Sequence, residues 1–143
     1  MKDMEFVQKV KIYHSDTDCY NVVWHGAYAK WLESGRIEFS EKIGIKFQEL
    51  EKMNIKLPVV ELNIRYKHPA KLFDELEIKT TLKDLKKTSA IFGHEIKNLN
   101  TGMVILSAAS TIVTTDTNGK LFRIMPQYLY EKYRHSMSAK SDN

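Results

Sequence analysis

Acidic residues, a turn-forming residue and an imidazole follow one another closely near the start of the chain. Asp16 and Asp18 come first, Asn21 follows them, and His25 opens an apolar-striped stretch typical of a helix. Free backbone N–H groups and the positive end of the helix dipole would then lie a few residues from Asp18. A carboxylate beside preorganised amide donors can attack an acyl carbonyl, since it provides a base or nucleophile and a site for the developing oxyanion.

The same residues also have a purely structural interpretation. Asp16 and Asp18 could form turns and cap the helix, because aspartate readily bonds to local backbone. His25 could be a helix-start histidine with an ordinary hydrogen bond. The complete string at fixed spacing favours the functional interpretation.

A long amphipathic helix is predicted directly after this string. From about His25 to Ile43 apolar residues recur at helical spacing, and Gly44 then ends the helix as a C-terminal cap. Gly35 in mid-helix costs about 1 kcal/mol relative to alanine, so we expect a close approach of helix to sheet there. The face predicted to be buried consists of Tyr28, Trp31, Leu32, Gly35, Phe39 and Ile43.

Strand-like alternation dominates the rest of the chain. Hairpin signals stand at residues 98–102 and 116–119. The predicted elements are a first strand at Phe6–His14, a short helix or turn at Phe47–Met53, strands at Leu57–His68, Glu75–Leu85, Ser89–Lys97 and Met103–Thr115, and a short terminal helix at Pro126–Arg134.

This order, β-α-β-β-β-β, predicts an α+β protein in which a five-stranded antiparallel sheet curls around one long central helix. We expect residues 1–143 to form a single domain with its core at about 6–134. Residues Ser136–Asn143 form a polar tail in this prediction.

The amino-acid composition limits the classes of function that this chain can have. The chain has 143 residues, of which 43% are hydrophobic and 28% charged, as in soluble globular domains. No apolar run is long enough for a membrane span and the N-terminus lacks a signal-peptide core, so we expect a cytoplasmic protein without stable membrane insertion. Its single cysteine excludes an intrachain disulfide and a multi-thiolate metal cage.

The net charge of +4 favours an anionic partner. The basic residues are scattered, without an arginine tract or a nucleic-acid motif, so we expect no nucleic-acid binding. Coenzyme A, with its phosphates, is the simpler anion.

The pattern D-x-D-x-x-N-V-V-W-H-x-x-Y, from Asp16 to Tyr28, resembles the start of hot-dog-fold acyl-CoA thioesterases. The branch concerned includes the 4-hydroxybenzoyl-CoA thioesterases and the Tol–Pal-associated enzymes. The resemblance extends from Val7 to about Arg134. Its downstream part comprises Pro58–Val60, Ile64–Ala70 and Asp74–Ile78.

The resemblance implies roles for individual residues. Asp18 corresponds to the essential carboxylate, which acts as nucleophile or as general base for water. Asp16, two residues earlier, would point the other way in an extended segment, and we interpret it as structural for that reason rather than from the resemblance. At His25 the backbone N–H polarises the thioester oxygen, and the imidazole can orient water or steady the leaving thiolate. The reaction needs no metal and no organic cofactor. Residues expected to contact the substrate are Asn21, Val23, Trp24 and Tyr28.

Two departures from the family pattern bear on acyl-group size. Relatives have glycine where this chain has Asn21, but asparagine is the non-glycine residue that best tolerates positive φ, so the turn is expected to survive. Tyr20 replaces a small residue and could narrow the acyl entrance.

Phosphate binding is expected in the turn that contains Lys86, Lys87 and Ser89, where the family has basic and hydroxyl residues near the coenzyme A phosphates. Lysine binds phosphate as a point charge. An exposed polar hairpin without a ligand explains this turn equally well.

Other catalytic residues and other functions are less well supported by the sequence. Glu33 or Glu38 on the helix could replace Asp18, as in another hot-dog branch. Cys19 with His25 could form a thiolate nucleophile, but the neighbouring Asp18 disfavours the thiolate. No metal spacing is present. Alternative functions are an acyl-carrier-protein thioesterase, a hot-dog dehydratase, whose residue arrangement fits less well, and a non-catalytic acyl-CoA-binding protein.

Assembly follows from the sheet edges. Five strands around one helix leave edges that an isolated subunit would have to protect. The resemblance implies that two subunits join their sheets edge to edge, so together with the unprotected edges it leads us to expect an obligate homodimer with acyl-CoA sites at the boundary. The resemblance alone implies that two dimers pair into a tetramer.

Overall fold

A computed structural model describes residues 4–137 as an antiparallel sheet packed against one long helix. The strands are β1 (Glu5–Lys11), β2 (Val59–Tyr66), β3 (Glu75–Leu85), β4 (Ser89–Asn98) and β5 (Val104–Val113). The helices are α1 (His25–Lys42), α2 (Phe47–Lys52) and α3 (Gln127–Ser136), with a 3-10 turn at His14–Asp16. The strand order β1-β3-β4-β5-β2 places β1 and β2 at the two edges. The predicted element order and α+β architecture are confirmed.

Helix α1 forms as predicted. Its buried face includes Tyr28, Trp31, Leu32, Gly35 and Phe39. The helix stops at Lys42 because Gly44 adopts φ +93°, a conformation that favours glycine. Ile43 is the C-cap rather than a helical residue, but it is partly buried against the core that contains Phe39, as the predicted apolar face requires.

Gly35 marks the closest approach of α1 to the sheet. A β-carbon at this position would collide with the Thr80 hydroxyl oxygen of β3, and the φ of Gly35 lies outside the left-handed region. The missing side chain is therefore needed for packing rather than for backbone conformation, as predicted.

A buried polar cluster lies on the helix-facing side of β3, β4 and β5. The Nδ1 atom of His94 is 3.2 Å from the Thr80 hydroxyl, and its Nε2 atom is 2.9 Å from the Ser110 hydroxyl. Burial, with a smaller contribution from the Arg36 charge, lowers the pKa of His94 to about 4. His94 is therefore a neutral ring that ties three central strands together.

The predicted end of the first strand is wrong. β1 ends at Lys11 rather than His14, because the Asp16 carboxylate accepts a hydrogen bond from the Tyr13 N–H at 2.9 Å and folds the chain into the 3-10 turn. The segment around Asp16 is consequently not extended.

Other boundaries shift by up to two residues. β2 is shorter at both ends than Leu57–His68, and α3 runs to Ser136 instead of Arg134. Residues 138–143 of the predicted tail lie outside the described residues.

Edge strand β2 is poorly covered. Leu62 pairs with the buried Ser110, so Leu62, Ile64 and Tyr66 face the side of the sheet that carries α1, whereas a register shift at Val60 interrupts this alternation. Yet Val60 is 61% exposed and Tyr66 is 53% exposed. Apolar side chains thus lie open beside an unpaired backbone edge.

Of the helices within residues 4–137, none is long and apolar enough to cross a membrane.

Candidate active site

A short hairpin carries Asp18 at its tip. The Asp18 N–H donates to the Val22 carbonyl oxygen at 2.9 Å, and Thr17 bridges Val23 in antiparallel pairing. Asn21 adopts φ +63°, which confirms the predicted left-handed conformation at this departure from the family pattern. The exposed Tyr20 lies within the turn.

The Asp18 carboxylate is exposed and is held by its own turn. Its Oδ1 atom accepts hydrogen bonds from the backbone N–H groups of Tyr20 at 2.8 Å and Val22 at 3.4 Å. These two donors fix the orientation of the carboxylate. Asp16 instead binds the Tyr13 N–H and is partly buried, as expected of a structural residue.

The start of α1 offers two backbone donors. Trp24 is the N-cap; its N–H donates to the Asp16 carbonyl oxygen, and its own carbonyl accepts the Ala27 N–H at 3.0 Å. Among residues 4–137, no acceptor is found for the N–H groups of His25 and Gly26. These two amides can stabilise a negative charge that develops nearby.

The indole of Trp24 rests on this first helical turn. A β-carbon on Gly26 would overlap the benzo edge of the ring. Because Cα–Cβ bonds tilt toward the helix N-terminus, the indole covers the N-terminal rim of the turn. It also meets the His25 imidazole edge to face at 5.6 Å, and it remains 45% exposed. The ring therefore forms a wall beside the free amides.

A cavity of about 300 Å³ opens at the same helix start. Tyr28 borders it and is buried, and burial raises the pKa of its hydroxyl to about 12, so this side chain stays neutral. Asp18 does not line this cavity. The lining residues are Val23, His25, Tyr28, Tyr66, Lys67, His68 and Pro69.

Three of these residues, Tyr66, Lys67 and His68, are site residues that the sequence analysis missed. They stand in the stretch that supplied the downstream strand motif, where an aromatic and a histidine directly before Pro69 were the available signal. The His68 Nδ1 atom lies 3.0 Å from the Val104 carbonyl oxygen.

The predicted phosphate-binding turn lies far from Asp18 within one chain. The Lys86 N–H donates to the Ser89 carbonyl oxygen at 2.8 Å, and both Lys86 and Lys87 are exposed. This turn follows the end of β3, whereas the start of β3 adjoins the Asp18 hairpin through a Leu72 N–H bond to the Asn21 carbonyl oxygen. Ten strand steps of about 3.3 Å separate these ends, roughly 33 Å.

The alternative nucleophiles lie apart from the small cavity. Glu33 and Glu38 are exposed on α1, and Glu33 borders a second cavity of about 460 Å³ between α1, α2 and the start of β2. Cys19 is exposed in the Asp18 turn.

Comparisons with known proteins agree on one family. A family model described as "Thioesterase-like superfamily" matches residues 12–133. The "Putative esterase sll0410" of Synechocystis is 34% identical over 131 residues, which cover 91% of this chain and 78% of that protein. The "Long-chain acyl-CoA thioesterase FadM" of Escherichia coli is 35% identical over 108 residues, which cover 76% and 80%.

Among solved structures, a DHNA-CoA thioesterase from Staphylococcus aureus superimposes with a TM-score of 0.83 at 22% identity, and the match covers 96% of this chain and 91% of that one. The hot-dog fold predicted from the sequence is confirmed by this likeness.

Proposed function

Because the chain belongs to the thioesterase-like superfamily, we propose that it hydrolyses acyl-CoA thioesters to a carboxylic acid and coenzyme A. The observation that carries the proposal is the pair of unbonded amides at the start of α1, which follows the hairpin of Asp18 directly. Within the superfamily, the Asp16–Tyr28 string favours the 4-hydroxybenzoyl-CoA and Tol–Pal-associated branch.

The residues divide the reaction between them. The N–H groups of His25 and Gly26 polarise the thioester carbonyl and stabilise the tetrahedral oxyanion. Asp18 attacks the carbonyl carbon as nucleophile or removes a proton from the attacking water. Either role requires an ionised carboxylate in a fixed orientation, and the two amides of its turn hold the Oδ1 atom in place. A thioester is reactive enough that we propose no metal or organic cofactor.

We propose that two chains join through β2 to form the complete site. Antiparallel pairing of two β2 edges would cover the open apolar side chains and satisfy the unpaired backbone groups. A further pairing of dimers into a tetramer is proposed from the family resemblance alone.

This pairing also brings the separated residues together. The Tyr66 end of β2 contacts Tyr28 near the helix start, and the Val59 end lies with the 86–89 turn. Antiparallel pairing would put the partner's copy of that turn at the Tyr66 end, about 17 Å away across three to four strand spacings. The pantetheine arm of coenzyme A joins the thioester to the nucleotide phosphates. Its contour length equals that of roughly five extended residues, also about 17 Å.

The acyl group would enter the space between the two chains. The 460 Å³ cavity borders Val59, so in the paired arrangement it would adjoin the His25 cavity of the other chain. Its walls are mostly apolar and include Phe47, Leu50, Leu57, Phe92 and Ile112. We propose that the distal part of the acyl group occupies it.

Thiol release from a panel of acyl-CoAs, with short, long and aromatic acyl groups, tests the function. Steady release from at least one substrate is expected. Acyl-carrier-protein substrates belong in the same panel, because the net charge of +4 also suits an acidic carrier. Faster turnover of the carrier-bound substrate would favour the carrier-protein thioesterase. Tight binding without thiol release would identify an acyl-CoA-binding protein.

A further inference from the structure

We infer that His68 is a further catalytic residue, the base that activates the hydrolytic water; this inference rests on the proposed function. His68 lies just after the end of β2 and borders the same 300 Å³ cavity as His25, which comes from the start of α1. The cavity is thus lined by a histidine that follows one element and by the first residue of another, whose N–H has no acceptor within residues 4–137. This meeting of base and oxyanion donors around one space is what acyl hydrolysis requires.

The hydrogen bond to Val104 fixes the tautomer of His68. A carbonyl oxygen can only accept, so the Nδ1 atom, 3.0 Å away, carries the hydrogen. In the neutral ring the Nε2 atom then keeps its lone pair and can accept a proton. The backbone carbonyl orients this ring much as an acidic partner orients the histidine of a catalytic triad.

Assigning the base to His68 leaves Asp18 as the nucleophile. An Asp18 oxygen attacks the acyl carbon, the C–S bond breaks, and coenzyme A leaves as a thiolate. Water then attacks the acyl carbon of the mixed anhydride and gives its proton to His68 Nε2. The bond to Asp18 breaks, which regenerates the carboxylate and releases the carboxylic acid. The imidazolium finally releases its proton to solvent, and the departed thiolate takes up a proton from solvent, so the net products are the carboxylic acid and coenzyme A.

The location of Asp18 fits this division. Asp18 does not line the cavity that His68 borders, and its Oδ1 atom is occupied by two backbone amides. In the inferred mechanism, a water molecule inside the cavity would have His68 beside it, and the Asp18 carboxylate would reach the acyl carbon from the hairpin. Two different groups serve the two half-reactions.

Two substitutions separate the two nitrogen atoms of His68. His68→Asn keeps a donor near the Nδ1 position and removes the base. His68→Gln keeps a polar atom near the Nε2 position and loses the donor to Val104. His135→Asn, at an exposed position on α3, is the matched control.

We expect His68→Asn to release one thiol per site in a burst and then turn over about a hundredfold more slowly than wild type. Hydroxylamine should trap the acyl group from Asp18 during the slow phase, and added imidazole should restore part of the steady rate. Steady turnover within twofold of wild type would overturn the inference. So would a slow variant with neither a burst nor imidazole rescue, because a merely structural role predicts that result. A wild-type protein that releases no thiol from any substrate would refute the proposed function instead.

Discussion

At the scale of single residues, Asp18 and Asp16 differ in what their carboxylates do. Asp18 is exposed in a turn whose backbone amides hold its Oδ1 atom, whereas Asp16 ties the 3-10 turn together. We predict that Asp18→Asn lowers kcat/KM by about a thousandfold or more, a barrier increase of several kcal/mol, with little change in Tm. The matched variant Asp16→Asn should lower Tm and keep most of the activity. If Asp18→Asn kept activity within tenfold of wild type, Glu33 or Glu38 would instead be the candidate for the catalytic carboxylate.

Gly26 gives a second prediction at this scale, since its hydrogen atom leaves room for the Trp24 ring. Gly26→Ala should displace the indole from the amides and lower kcat/KM by about tenfold. Tm should hold or rise, because alanine is the better helix former by up to about 1 kcal/mol.

A double-substitution cycle checks the cause of this loss. In a Trp24→Ala background, Gly26→Ala should change kcat/KM no further, since the ring is already absent. Acrylamide quenching reports the ring directly, because Trp31 is buried and Trp24 is not. Equal losses in both backgrounds would mean that Gly26 acts independently of the indole.

At the scale of residues, a feature could be predicted from the sequence when the residue type itself indicated it. The left-handed Asn21 and the packing role of Gly35 could be predicted because the residue type indicates each of them: asparagine tolerates positive φ, and a glycine in mid-helix indicates a close approach whatever the partner. His68 could not, because its role depends on a hydrogen bond to Val104, 36 positions away. Sequence spacing carries no information on that contact.

At the scale of elements, the buried His94 cluster makes the folding stability of the sheet depend on pH. The unfolded chain binds a proton at His94 below pH about 6.5, while the folded protein resists it down to about 4. Stability is therefore complete above pH 6.5 and falls as the pH drops toward 4. We predict a Tm that declines over this range, with a smaller decline in His94→Gln.

Thermal melts at several pH values measure this effect. His135→Gln, at an exposed position of α3, serves as the control and should keep the wild-type decline. An identical decline in His94→Gln would assign the acid sensitivity to other groups.

Element types could be predicted and their ends could not. Hydrophobic periodicity identified α1 and all five strands, because burial imposes it on the sequence. The end of β1 was missed because a single side-chain bond, from the Tyr13 N–H to Asp16, outcompetes continued strand pairing. Such a bond leaves no periodic signature.

At the scale of the whole molecule, the division of one site between two chains can be tested with Lys86 and Lys87. The Lys86→Ala/Lys87→Ala variant should raise KM for acyl-CoA and leave KM for an acyl-pantetheine unchanged, since only the former carries the nucleotide phosphates. High salt should weaken the binding of acyl-CoA more than the binding of the acyl-pantetheine. Equal effects on both substrates would make the turn structural.

Mixing this lysine variant with Asp18→Asn tests which chain supplies the turn. On the proposed pairing, a mixed dimer contains one site with both defects and one intact site. Activity with acyl-CoA should therefore recover after subunit exchange. Absence of recovery in a verified mixed dimer would place the turn and Asp18 in separate functions or in the same chain.

The whole-molecule architecture was predictable because one apolar helix requires a sheet to cover it. The distance between Asp18 and the 86–89 turn was not, because it depends on the direction of β3 relative to the hairpin.

Light scattering should give an assembly larger than 16.7 kDa, and an active species of that mass would refute the shared site.

The open edge of β2 links catalysis to the abundance of the protein itself. On the proposed pairing, a lone chain has half of each site, so below the dissociation constant of the dimer the specific activity falls in proportion to the concentration of chains. Dilution would then silence the enzyme without unfolding it. A cell that lowers expression of such a protein tenfold would lose more than tenfold of its activity once pairing is no longer saturated, and burial of the exposed Val60 and Tyr66 on pairing would contribute to that threshold.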